Sequence, residues 1–84
     1  MSPEQLTALE PEKVVDARGT ACPGPLLEAK RAVTEVSKGG IMEVLSSDQS
    51  TNRYIPVWAA KVGHEFLGII EEPGYWKLYI KRGK

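Results

Sequence analysis

The sequence predicts an α/β fold: a two-layer α+β sandwich in the order βαβαββ, with two helices packed on one face of a mixed four-stranded sheet. Three observations carry this. Short apolar runs at 13–16 and 41–46 each precede a segment with apolar residues at helical spacing. Two further runs, 65–71 and 75–81, flank Glu72-Pro73-Gly74-Tyr75, where proline and glycine stand as a type II turn wants them. The last run alternates strictly, Trp76, Leu78 and Ile80 against Tyr75, Lys77, Tyr79 and Lys81, which predicts one buried face and one wet face.

The elements follow in order. Residues 1–12 are polar and contain two prolines; Ser2 with Gln5 has the form of a small capping box, but the expectation is a flexible N-terminal tail, leaving 13–84 as a single domain. Lys13-Val14-Val15-Asp16 is the first strand, and Arg18-Gly19-Thr20-Ala21 a loop. The first helix is predicted from Pro23 to about Ser37, with Leu26, Ala29, Val33 and Val36 on one face and Gly39-Gly40 ending it. Proline suits the first helical position, so Pro23 reads as that residue and Cys22 as the N-cap. Residues 41–46 form the second strand. A loop over 47–51 offers Asp48 and Ser50 as caps for a second helix, which turns Ile55, Trp58, Ala59 and Val62 inward and ends at Gly63. Pro56 is expected either to mark that helix's true start or to kink it. A strand–helix–strand crossover makes parallel partners, and the closing hairpin adds an antiparallel pair.

Composition narrows the function. Eleven basic residues balance eleven acidic ones, so the excess expected of a domain that binds nucleic acid through phosphates is absent. One cysteine and one histidine exclude an internal disulfide and a cysteine-rich zinc site. The opening residues have neither a basic nor an apolar signal region, and no apolar run reaches membrane-spanning length. A free thiol in such a chain fits a reducing cytoplasm.

The residues that carry chemistry are Cys22-Pro23-Gly24-Pro25. A lone cysteine is usually a small buried hydrophobe. Here it stands at a predicted helix N-terminus, where the dipole favours a thiolate, and cysteine is not among the residues that cap well. Two prolines stiffen the turn, and Gly24 leaves the backbone unshielded beside the sulfur. The N–H groups of Gly24 and Leu26 are the amides expected to remain available. Cys22 therefore reads as an exposed nucleophile, with Pro23, Gly24 and Pro25 shaping its mount. His64, Trp58 and Trp76 have blander readings: a surface residue at a strand start, and two core aromatics.

Asp16-Ala17-Arg18-Gly19-Thr20-Ala21-Cys22-Pro23-Gly24-Pro25-Leu26 resembles the signature of the TusA/SirA-like sulfur-carrier family, and Ser47 to Pro56 and the closing strand extend the resemblance over about 13–83. Thr20 stands where that family usually has an apolar residue, and Tyr54 where an acidic one is frequent. The resemblance implies a carrier-type sulfurtransferase. Cys22 would accept a sulfane sulfur as a persulfide from a cysteine desulfurase or rhodanese and pass it to a DsrE-like thiol acceptor. The relay would serve tRNA thiolation, molybdenum-cofactor synthesis or dissimilatory sulfur oxidation. No cofactor, metal, nucleic acid or membrane is expected; the sulfur is carried covalently. Both partners would dock around the Cys22 end, through Leu27 and Arg31 with Arg18. The alternatives are an RNA-binding two-layer module, a thiol redox regulator using Cys22, and a selenium carrier.

Overall fold

The computed structural model describes residues 3–21 and 23–84. The elements are α1 (Pro3–Thr7), β1 (Lys13–Asp16), α2 (Gly24–Ala32) running into a 3₁₀ turn (Val33–Glu35), β2 (Ile41–Ser46), α3 (Thr51–Val62), β3 (Glu65–Glu72) and β4 (Tyr75–Lys81). The sheet order is β1-β2-β4-β3, with β1 parallel to β2 and β4 antiparallel to both of its neighbours. The α3 crossover thus carries the chain past one strand position, and β4 returns to fill it. This split arrangement uses both predicted connection types in one sheet.

The main core lies between the helices and the sheet. Val15, Met42, Val44, Leu78 and Ile80 on the strands meet Ala29, Ala32, Val33, Val36, Ile55 and Ala59. Small residues on the inner faces, Ala29, Ala32 and Ala59, let α2 and α3 approach the sheet closely. Trp58 and Trp76 are partly buried against this core, as expected. The 73–74 loop is the predicted hairpin turn, with Gly74 at φ +85° as a type II turn requires.

Four expectations are corrected. The cap assigned to Cys22 belongs to Pro23, and the helix begins at Gly24, with Pro25 in its first turn. Of the two outcomes expected for Pro56, starting α3 is excluded: it sits inside a helix that begins at Thr51 and forgoes the bond it would donate to the carbonyl of Asn52. His64 is half-buried: its Nδ1 accepts the N–H of Gly83 at 3.0 Å, and its ring stands edge-on to Trp58 at 5.5 Å. Burial, and then the charges of Arg82 and Lys84, hold its pKa below the usual imidazole value.

The fourth correction concerns the second face of the sheet, expected to be wet, and the segment 1–12, expected to be a flexible tail. The structure forms α1 at Pro3–Thr7 and buries Leu6 on that face with Ile70 and Tyr79, flanked by Leu9, Ile41 and Leu67. Gly68 makes the room. A Cβ there would press on the Leu6 side chain at 2.8 Å, and the β3–β4 register shifts between Phe66 and Gly68. Tyr79 is buried beneath this cover, and its hydroxyl is bonded to Glu43, the residue opposite it on β2; burial first and then that bond push its pKa up.

Gly68→Val should therefore eject Leu6 and uncover Tyr79. We expect a loss of about 1–3 kcal/mol in urea unfolding and faster amide exchange over residues 3–9, with the main core still protected. Unchanged exchange over 3–9 would show that Leu6 does not depend on the gap at Gly68.

Candidate functional site

Cys22 lies outside the described residues, so the site is defined by the chain on either side of it. β1 and β2 end, and α2 and α3 begin, at one rim of the sheet, which the 73–74 hairpin loop shares. The loop leading to Cys22 is fastened to this rim at several points. Ala17 is buried and its N–H donates to the carbonyl of Leu45 at 2.8 Å. Gly19, at φ +84°, donates its N–H to Ser47 Oγ at 2.8 Å. Only glycine takes that conformation without strain.

Arg18 is the third fastening. Its Nε and Nη2 donate to the two carboxylate oxygens of Asp16, each at 2.9 Å, and Asp16 Oδ1 also accepts the Arg18 backbone N–H at 3.2 Å. The guanidinium lies 4.9 Å from the ring centroid of Tyr75 on β4. These bonds hold the Asp16 carboxyl well below its ordinary 3.8, at about 2, and raise the pKa of Arg18. The pair is solvent-exposed and contributes little to global stability. Its consequence is positional: a forked pair plus a ring contact fix the loop across β1 and β4.

On the far side of Cys22, the Gly24 N–H donates to the carbonyl of Ala21 at 2.9 Å. That amide is therefore occupied, contrary to the expectation that it remains available. Gly24 is required for a second reason: a Cβ on it would run into the Thr20 methyl. The Thr20 methyl occupies the space that a side chain at 24 would need. Pro25 is buried, while Pro23 is exposed.

The neighbouring loop is equally constrained. Ser46 Oγ donates to Thr51 Oγ1 at 2.9 Å in the interior and accepts the Asp48 N–H at 3.2 Å. Asp48 Oδ1 accepts from the backbone and hydroxyl of Ser50 at 2.9 and 2.7 Å. Ser50 holds the N-cap position of α3 without a side-chain cap bond; Asp48 organises the turn before it. Between this loop and α2 opens a groove of about 400 Å³ lined by Pro23, Leu26, Ser50 and Tyr54. The sequence reading missed the groove, because the packing of two helix starts against each other is not a local pattern.

Of the proposed docking residues, Leu27 is exposed. Arg31 is exposed and 3.8 Å from Glu28, in a groove along β1 that Asp16 also lines. Arg18 is engaged by Asp16 and Tyr75, so it is not a free cation. Among the described residues there is no group of His, Cys, Asp and Glu suited to a metal ion, and no helix long and apolar enough to cross a membrane.

This arrangement defines a small two-layer domain in which the chain on either side of Cys22 is braced at one rim of the sheet. The family model described as "Sulfurtransferase TusA" matches residues 13–82. A relative from Archaeoglobus fulgidus, with a provisional sulfur-carrier name, is 46% identical over 84% of this chain and 97% of its own. The sulfur carrier protein TusA of Pseudomonas entomophila is 36% identical over 92% of this chain and 96% of its own. The crystal structure of a SirA-like protein from Desulfitobacterium hafniense superposes with a TM-score of 0.68 at 27% identity, covering 86% of this chain and 99% of that one. The chain belongs to the TusA family of sulfur carriers.

The Asp16–Arg18 fork is testable by pH. Because its folded pKa is depressed, the contribution of Asp16 is complete above its ordinary value of 3.8 and is lost as pH falls toward about 2. A carboxyl-carbon NMR titration should place Asp16 near 2 in the natural protein and near 3.8 in Arg18→Ala. An unchanged midpoint in Arg18→Ala would remove Arg18 as the cause.

Proposed function

We propose that this chain carries sulfur as a persulfide on Cys22 and transfers it to the thiol of a partner protein. One observation carries the reading: a chain of a sulfur-carrier family has a single cysteine, and it stands within Cys-Pro-Gly-Pro. In loading, the Cys22 thiolate attacks the sulfane sulfur of a donor, and the donor's sulfur leaves as a thiolate. In unloading, the acceptor thiolate attacks the outer sulfur and Cys22 leaves. No redox partner is needed, because the sulfane sulfur moves without a net change in oxidation state, and no cofactor is called for. Pro23, Gly24 and Pro25 hold the segment's shape.

The donor fits a cysteine desulfurase or rhodanese, and the acceptor a DsrE-like protein, in a cytoplasmic relay for tRNA thiolation, molybdenum-cofactor synthesis or sulfur oxidation. Rate and selectivity come from docking, because a domain of this size has little interior in which to enclose the reaction. Leu27 and Arg31, one helical turn apart, are accessible for that purpose.

Incubation with polysulfide followed by intact mass measurement should add one sulfur atom per chain, removable by a reductant and absent in Cys22→Ser. Equal loading of Cys22→Ser would overturn the assignment.

A further inference from the structure

The helical layer carries a surface that the sulfur chemistry alone does not account for. Of the five exposed large apolar side chains among the described residues, four lie on it: Leu27 (54% exposed), Tyr54 (48%), Val57 (62%) and Val62 (39%). The same two helices hold the cations Lys30, Arg31, Arg53 and Lys61 and one acid, Glu28, which faces Arg31. The whole chain is neutral, so its acids are concentrated elsewhere. The groove of Pro23, Leu26, Ser50 and Tyr54 runs into this surface. Arg53 lines the adjoining cleft with Tyr54, and Lys30 follows Leu26 by one turn on α2. Asp48, in the loop before α3, turns its carboxylate to Ser50.

We infer that this groove is the recognition site for the acceptor segment, and that it selects a cysteine flanked by an aliphatic side chain and then by acidic residues. This deepens the proposed function and rests on it. Pro23 follows Cys22 directly in the chain, so a segment whose thiol reaches the sulfur carries its neighbouring residue to the groove. An aliphatic side chain fits the apolar walls of Leu26, Pro23 and the Tyr54 ring. Acidic residues beyond it meet Arg53 in the adjoining cleft and Lys30, one turn after Leu26 on α2. The charge pattern excludes a basic partner by repulsion, so the same surface supplies both affinity and rejection. The transfer itself balances within the pair: the peptide thiolate forms a bond to the outer sulfur, the Cys22 sulfur–sulfur bond breaks, and its electron pair remains on the Cys22 sulfur, which takes up the proton the peptide thiol released.

Three synthetic octapeptides test this, each with one central cysteine: one followed by Leu-Glu-Glu, one by Ser-Glu-Glu and one by Leu-Lys-Lys. Sulfur transfer from polysulfide-loaded protein, at low salt, should be about five- to tenfold faster to the first than to either other. Tyr54→Asp should abolish the Leu-over-Ser preference, and Arg53→Glu should abolish or invert the Glu-over-Lys preference, whereas Val14→Thr, on the far strand, should change neither. Binding is read independently of sulfur on Cys22→Ser with the S-methylated peptides, by amide NMR shifts, which should cluster at Leu26, Ser50 and Tyr54. Failure of loading with these shifts present would refute the persulfide reading and leave the groove standing. Equal transfer rates for the three peptides, preferences that survive both groove variants, or shifts elsewhere would overturn the groove assignment. So would single-stranded RNA or phosphatidylserine vesicles shifting the same amides while the peptides do not.

Discussion

β4 is the strand on which the rest of the molecule depends. It pairs with β2 along one edge and β3 along the other, and both of its faces are covered. Leu78 and Ile80 enter the helical core, while Tyr79 lies under Leu6 on the opposite side. Its two ends reach beyond the sheet. At the start, Tyr75 receives Arg18 from the loop that precedes Cys22. Past the end, Arg82 exchanges backbone bonds with Gly39 and Gly40 and places its guanidinium on the carbonyls of Thr34 and Val36, which closes the 3₁₀ turn. Gly83 approaches Gly63 so closely that a side chain would not fit, and its N–H binds His64. One strand thus sets the core, the approach to the cysteine and the closure of both helices.

That dependence explains how a chain with a thin core braces the loops on either side of Cys22. A domain of this size has little interior to spare for burying catalytic groups. The alternative is to fix an exposed loop by attaching each of its ends to strands that are already fixed. Ala17 is tied to β2, Arg18 to β1 and β4, Gly19 to the loop after β2, and Gly24 to Ala21. No single one of these bonds contributes much, but together they fasten residues 17–19 to the sheet and the loop after β2.

The parts of this design that were legible in the sequence are those with a local period. The strand limits follow from alternation, and the hairpin from Pro73-Gly74. The inward helix faces follow from the spacing of Ala29, Val33, Ile55 and Ala59. Cys22 was singled out by chemistry, as the one thiol beside two prolines. What was not legible depends on contacts between distant residues. The alternation of β4 correctly separates two faces but says nothing of a cover, and Leu6 finds its place only because β3 carries a glycine at 68. A glycine inside an apolar strand was the available signal. The start of α2 moved by one residue because the Ala21–Gly24 turn uses the first amide. The groove at Tyr54 required two helix starts, from separate parts of the chain, to be brought side by side.

Charge shows the same limit from another side. Net neutrality argued against nucleic-acid binding, yet neutrality is an average, and the structure separates the signs: the outer helical surface is cationic while the acids lie elsewhere. The weight against the RNA reading therefore shifts to the aromatic residues, since sequence-tolerant RNA recognition needs bases stacked on exposed rings. Trp58, Trp76 and Phe66 are packed on the main core, and Tyr79 is buried under Leu6. Tyr75 is overlaid by Arg18. Tyr54 alone is broadly open, and it forms the wall of an apolar groove beside Pro23. One ring cannot make a stacking platform, whereas one ring beside a leucine and a proline makes a socket for a side chain. The cationic, apolar character of this surface thus fits an acidic protein segment better than a nucleic acid, and places that segment next to the residue that follows Cys22.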